Sequence, residues 1–520
     1  MRLSGWILCA ALGCATAPTP LGEDVLRRRF PDALLDDAAL CAKLSRPGQT
    51  VFDDRETRLR RKVVVSDLHF GPGDSRDARF RGLEDSFFAD DWQRFLAHQH
   101  GAGPTDLVIA GDFLELWQVE GALDLLPTRD ARLQSGVPAM LAADQEGALA
   151  ALAPILVAHR AELTALGRFL SQGDHRAIVI PGNHDADLLW PKVQLALARA
   201  ISPAEPSRLV FVSTAIYRHG GVHVEHGHRF DGANRSMTEL PPFAPDARGT
   251  CRLLASWGQV FVSRFFNATE QRFPFVDNLY PESATLLWAL EDEPDKLAIA
   301  DAAGRFLDLL VSEQSRGLNL SFLRGALSGM LGMPTGKDGN LSSLPGELGQ
   351  HLVDKFSSSE HVLEVLWKLV SDPGMARVAK AVSDAARALP DARAALLALS
   401  QIDPADLKVL REVLTSDPLE TAAAQILDAA PEISVVVLGH THLPGGATKV
   451  VRGRTREGHY ANSGCWIPVA RVEDLKARGV AWKALDPKDR KAFPLAFPSV
   501  VIEYDGRMPK APRIARGIED

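Results

Sequence analysis

Five short stretches gather the residue types that hold metal ions and move protons: Asp67-Leu68-His69, Gly111-Asp112, Gly182-Asn183-His184-Asp185, His226-Gly227-His228 and Gly439-His440-Thr441-His442. Their donors are imidazoles, carboxylates and one amide. Such a set suits Mn²⁺, Fe or Zn²⁺ better than Ca²⁺, and the lack of a nearby cysteine argues against a structural zinc site. Singly, each stretch is ordinary, since a lone histidine on an apolar strand is more often a satisfied core residue than a ligand. A specified tetrapeptide such as Gly-Asn-His-Asp, however, arises at only about one in 10⁵ start positions at average residue usage. Gly-His-Thr-His is a second such rarity. Five segments of this kind in one chain, each at the exit of an apolar run, point to one shared site.

Those apolar runs must do the positioning. Val63–Val65, Leu107–Ala110, Ala177–Ile180, Val222–Val224 and Val435–Leu438 are rich in β-branched residues and read as buried strands covered on both faces. Loops at strand carboxyl ends are where α/β sheets collect their chemistry. Helical spacing marks Glu84 to His98 (Phe87, Phe88, Trp92, Phe95, Leu96), Gly147 to Leu170 with a kink or restart near Pro154, and Leu419 to Ala430. Closing strands are expected at Tyr460–Cys465 and Ser499–Tyr504. The fold class is α/β, with strands and helices alternating.

Between His228 and Val435 the pattern turns helical, in Arg252–Phe266, Ser283–Leu297, Ala303–Val311 and His361–Val370, with a Gly/Pro/Ser-rich linker at Gly332–Gly346. A helical insertion is therefore placed at residues 236–415, inside a core of residues 61–235 and 416–520. Its aromatic residues, Trp257, Phe261, Phe265, Phe266, Phe273, Phe275 and Tyr280, suit the insertion's own core first and a lid over the site second. Residues 18–60 read as a tether or N-terminal arm, and the basic run Arg58–Lys62 as a solvated strand entry.

In this order the motifs resemble those of the calcineurin-like metallophosphoesterases, over residues 61–232 and 416–505. The resemblance implies a two-layer β sandwich flanked by helices and a centre of two divalent ions (Mn, Fe or Zn, with Mn foremost). It places Asp67, His69 and His442 on the first ion, Asn183, His226 and His440 on the second, and Asp112 between them. The implied activity is hydrolysis of a phosphate ester or pyrophosphate bond, by a water shared between the ions with its pKa lowered toward about 7. His184 resembles the family's histidine that donates to the leaving oxygen. Asp185 is expected to orient its other nitrogen, or to serve as a turn or capping residue. Of the neighbours, Glu115 is expected to buttress the site from a helix start, Asp231 to orient a histidine, His228 to donate to a ligand or to serve as an alternative ligand itself, and His223 to be structural. Gly-Asp-Phe-Leu-Glu, His-Gly-His and Gly-His-Thr-His are nearest the bacterial UDP-diacylglucosamine pyrophosphohydrolase branch, which usually carries Arg where His184 stands.

Composition narrows the alternatives. The 520 residues, 46% of them hydrophobic, suffice for two or three domains with a packed core. A net charge of −8 and a pI near 6.0 argue against broad nucleic-acid binding, which lowers the reading as a nuclease of the same fold. A surface protein that binds a phosphorylated ligand without turnover is the other alternative. The expected substrate is a phosphorylated small molecule or a lipid-linked phosphate. Five cysteines lie far apart, so neither a disulfide framework nor a cysteine metal site is expected. Arg2 followed by the apolar, small-residue run Leu3–Ala17 reads as a signal peptide. Ala11-Leu12-Gly13-Cys14 resembles a lipobox, so export and membrane anchoring as a lipoprotein through Cys14 are expected, with cleavage after Ala17 as the rival.

Overall fold

The structure, a computed structural model, describes residues 23–46, 50–73, 87–119, 126–128, 139–231, 234, 243–280, 285, 288 and 419–518. The signal-peptide reading with Cys14, the Gly332–Gly346 linker and the helices expected between 291 and 415 fall outside the described residues.

The architecture is mixed α/β, built on two six-stranded sheets. In the first, the strands run Arg513–Ala515, Ser499–Ile502, Arg61–Val65, Thr105–Ala110, Arg176–Ile180 and Leu209–Phe211, with the last four parallel. The second runs Phe52–Asp53, Ile216–His219, Val222–Glu225, Val435–Leu438, Glu457–Asn462 and Ala447–Arg452, with a parallel centre.

Side-chain alternation decides what each strand touches. Val63 and Val65 point into a large cluster with the helices, while Val64 between them joins a second cluster made only of sheet residues and their loops. The neighbouring strands repeat this in register: Leu107, Ile109, Ala177 and Val179 face the helices, and Val108, Ala110, Ile178 and Ile180 face inward. From the other sheet, Tyr217, Val222, Val224, Val435 and Val437 enter the same inward cluster. Val436 and Leu438 turn outward onto the helix Leu419–Ala429. The two sheets thus share one apolar layer, and each buried Val or Ile contributes about 1.5–3 kcal/mol to it.

Several expectations are corrected. The Gly147–Leu170 segment is two helices, Gln145–Ala158 and Arg160–Ser171, meeting at 84°. The break is at His159 and not at Pro154, because the His159 ring is packed between Phe70 (4.4 Å) and Phe87 (4.8 Å) and pins the chain there. No single described helix is long and apolar enough to cross a membrane.

Residues 18–60 are no free tether. Helix Asp37–Leu44 is docked through buried Leu40, and Cys41 forms a disulfide with Cys251, overturning the expectation of no disulfide. Phe243, Cys251 and Leu253, in a hairpin placed in the insertion from sequence, pack into the main core, so the core extends beyond residue 235. Phe273 and Phe275 pack with Trp482 and Phe493 near the C-terminal end instead of filling a separate insertion core. Nor is the Arg58–Lys62 run a solvated entry: Lys62 is fully buried, 3.1 Å from Asp106 Oδ2. Arg176 donates to both oxygens of Asp106 (2.9 Å each) and to Asp54 (2.8 Å). This network satisfies buried charge at the strand ends opposite the motifs.

Candidate metal centre

All five motifs leave the carboxyl ends of parallel strands, and because both sheets present those ends on one rim, the side chains converge. The turns that carry them are strained. Asp67 (φ 53°), His69 (45°), Asp112 (48°), His440 (73°) and His442 (47°) are left-handed, and among the described residues only two other non-glycine residues, Ser202 and Phe497, are. Each such residue costs about 1–2 kcal/mol, which persists only where surrounding contacts enforce it and which concentrates at functional sites. Here the enforcement is a backbone lattice between strand exits. Asp67 N donates to Gly111 O, both Leu68 N and His69 N donate to Asp112 O, and Gly439 N donates to His226 O at 2.7 Å.

Among the described residues the side chains form three groups able to hold a cation: Asp67/His69/His442, Asp112/His226/His440, and His69/Glu115/His184, which shares His69 with the first. In the first, His69 Nε2 and His442 Nε2 face each other at 3.1 Å, and Asp67 Oδ1 is 3.3 Å from His442 Nε2. In the second, His226 Nε2 is 2.8 Å from Asp112 Oδ2 and 3.9 Å from Asp67 Oδ1, which brings the groups together. Asn183 Oδ1 is buried with no hydrogen-bond partner, and Asp67 Oδ1 and His226 Nε2 meet their close neighbours His442 and Asp112 without hydrogen-bond alignment, a costly arrangement for protein alone and the one that ligand atoms show. The donor set therefore fits a divalent cation.

Outer partners set which nitrogen of each ring is free. His69 donates Nδ1–H to Glu115 Oε2 (2.9 Å) and His226 donates Nδ1–H to Ala110 O (2.9 Å), leaving both Nε2 lone pairs toward the site. His440 Nε2 meets Asp231 Oδ2 at 3.1 Å, which leaves Nδ1. Asp231 thus orients a histidine, as expected. On Asp67, Oδ2 accepts from Ser66 Oγ and from His440 N (3.2 Å), so that only Oδ1 is open. Ser66 also meets Ser463 Oγ at 2.7 Å. Neither serine is visible as a site residue in the sequence, because both act through ligands.

Glycines make the approach close enough. A Cβ on Gly182 would lie 2.0 Å from Asp112 Oδ1, and one on Gly111 would strike the His226 ring at 2.5 Å.

His184 belongs to the group that shares His69, and its partner is a correction. Its Nδ1 donates to Glu115 Oε2 at 2.6 Å, not to Asp185. Asp185 instead accepts from Phe113 N (2.8 Å), Leu114 N (3.2 Å) and Gly182 N (2.6 Å), tying the Asp112 loop to the Asn183 loop. It occupies the capping position of the turn Ala186–Leu189 without capping it by its side chain. Glu115 directly follows the bridge residue Leu114 and does not start a helix, and it serves His69 and His184 together. Trp117, unremarked in the sequence, stacks on His184 at 4.1 Å. Its carbonyl accepts from Asn267 Nδ2 (3.3 Å), and Gln118 Nε2 donates to Glu270 (2.9 Å), so the 257–270 segment braces this wall.

His223 pairs with Glu225 (2.7 Å) and is structural. His228 is buried with its ring 5.5 Å from that of His226 and its Nδ1 unpartnered.

Electrostatics follow from this packing. Burial disfavours the charged form of His184, but Glu115 and Asp112 outweigh it and lift its pKa to about 10. Burial likewise opposes ionisation of Glu115, yet the two histidines hold it at about 2. For Asp112 burial is outweighed by His226 and His184, which keep it well below the usual range. Burial, with Asp112 nearby, raises Asp185 to about 7. The carboxylates thus favour positive charge at His184 and His226, whereas burial first, with neighbouring histidines, holds His69 and His228 toward the neutral form.

No protein-family model and no curated protein matches this chain.

Proposed function

We propose that the protein is a metal-dependent phosphoesterase of the calcineurin-like type, hydrolysing a phosphate ester or pyrophosphate bond. The observation that carries this reading is the set of buried ligand atoms on Asp67, Asn183 and His226 that no aligned hydrogen bond satisfies, gathered with three further imidazoles on one rim. The two facing sheets with helices outside them support the same assignment of fold. Asp67, His69 and His442 would hold one ion, Asn183, His226 and His440 the second, with Asp112 shared. Mn²⁺ is the proposed occupant, with Fe and Zn²⁺ as alternatives. When bound, such ions lower the pKa of water and neutralise phosphoryl charge. The chain's own residues supply the rest. His184, held protonated by Glu115 and Asp112, donates a proton to the leaving oxygen. Trp117 covers its ring and limits access of bulk water. Asp185 holds the two ligand loops at fixed spacing and is a positioning residue.

The Cys41–Cys251 disulfide supports export, since disulfides persist in oxidising compartments. The 257–270 segment is proposed as a side wall of the substrate site.

The test is metal content measured beside hydrolysis of nitrophenyl phosphate mono- and diesters and of a pyrophosphate diester. Near two ions per chain, reduced in Asp112→Asn, with turnover lost in both Asp112→Asn and His184→Ala, is the expected result. A protein that binds no metal, or binds it and hydrolyses none of these, would overturn the proposal.

A further inference from the structure

Two residues beyond His442, the chain forms a cleft of about 240 Å³ lined mainly by Pro444, Cys465, Ile467, Val469, Ala496 and Arg516. Its lining is tied to two candidate ligands through their backbone. Cys465 Sγ lies 3.6 Å from the His442 carbonyl, and the adjacent Trp466 N donates to Asp67 O at 3.0 Å. The same strand exit therefore fixes a ligand and lines the cleft.

Its lining is selective in two ways. Cys465, Ile467 and Val469 form their own apolar cluster, separate from the main cores. Arg516 is the one charged side chain in the lining, directed by hydrogen bonds from Nε to Gly445 O (2.9 Å) and from a terminal nitrogen to Gly446 O (3.4 Å). No carboxylate among the described residues lies within ion-pair distance of it. A phosphorylated ligand thus meets no repulsion here, and its hydrocarbon part meets apolar wall. An apolar cavity of about 150 Å³ already accepts benzene, so this one has room for an aryl ring or an alkyl chain of several carbons.

We propose that this cleft is a substrate subsite for a hydrocarbon substituent of the phosphoester, whose phosphate lies at the metal centre. The proposal rests on the phosphoesterase reading and adds a selectivity to it: the protein favours phosphates that carry an apolar group over bare or sugar-like ones.

The experiment is calorimetric titration of n-alkylphosphonates, from methyl to octyl, into the metal-loaded full-length protein. Each added methylene is expected to tighten binding about three- to fourfold until the cleft is filled. Ala496→Phe and Val469→Phe, which add bulk to the lining from separate segments of the chain, should each abolish the gain for hexylphosphonate while leaving methylphosphonate affinity and metal content unchanged. Methylphosphonate binding with no chain-length gain would overturn the subsite and leave the phosphoesterase reading standing. A gain that survives in both narrowed variants would do the same. Failure of every phosphonate to bind would overturn both.

Discussion

Gly182→Ala tests the site's geometry with one methyl group. The new Cβ would lie 2.0 Å from Asp112 Oδ1 and 2.5 Å from Asp112 N, where real Cβ contacts essentially never fall below 3.0 Å. One of the two loops must then retreat by about 1 Å, because neither neighbour is the free end of a flexible chain. Gly182 has no left-handed φ, so the penalty is purely steric. Overpacking of this kind costs about 1–3 kcal/mol of stability, which a core of this size survives. Function should suffer more. The displaced Asp112 carboxylate holds His184 N at 2.9 Å and faces His226 Nε2 at 2.8 Å, so the spacing of the candidate ligands and the proposed proton donor shift together. Misplacement by about 1 Å can cost about 10²-fold in rate, and loss of ligand support costs about 10- to 100-fold in metal affinity. The assay is a thermal melt with Mn²⁺ and with chelator, beside metal content and nitrophenyl ester turnover. Bound metal raises the melting temperature by mass action, and this increment should shrink in the variant while the chelated proteins melt within a few degrees of each other. A Gly182→Ala protein with wild-type metal content, metal-dependent stabilisation and turnover would refute the reasoning, since it would mean that Asp112 does not need its place.

Three further outcomes are expected. Arg176→Met removes three charge-assisted bonds and leaves Asp106 and Asp54 buried and underpaired, costing about 3–5 kcal/mol by chemical denaturation with no change in metal content, because the network lies at the opposite rim. Burial raises Asp187 from 3.8 to about 7. Its folded state prefers the protonated form, so this stability is fully present below pH 3.8 and lost as pH rises through 7; Asp187→Asn should flatten that part of the stability–pH curve and be about 1–3 kcal/mol more stable at pH 8. Cys41→Ser, which opens a crosslink spanning 210 residues, should lose about 2–5 kcal/mol, and reductant should reproduce the loss in the wild type but not in the variant.

The strands were legible from the sequence because their signal is local. Val63–Val65, Leu107–Ala110 and Ala177–Ile180 declare themselves by β-branched runs a few residues long, and each motif begins one or two residues beyond its run. A candidate ligand's chemical type and its place at a strand exit therefore follow from the chain alone. What tertiary structure decided involves residues that meet only when the two sheets dock. Glu115, not the adjacent Asp185, takes His184, because the turn after Asn183 swings Asp185 toward the Asp112 loop. Cys41 finds Cys251, and Lys62 and Arg176 find Asp106, across separations that no periodicity encodes. The left-handed turns at Asp67, His69, Asp112, His440 and His442 belong to the same class. Local preference opposes them, and the hydrogen bonds that impose them run mostly between strand exits brought together by the fold, so only the folded chain could select that conformation.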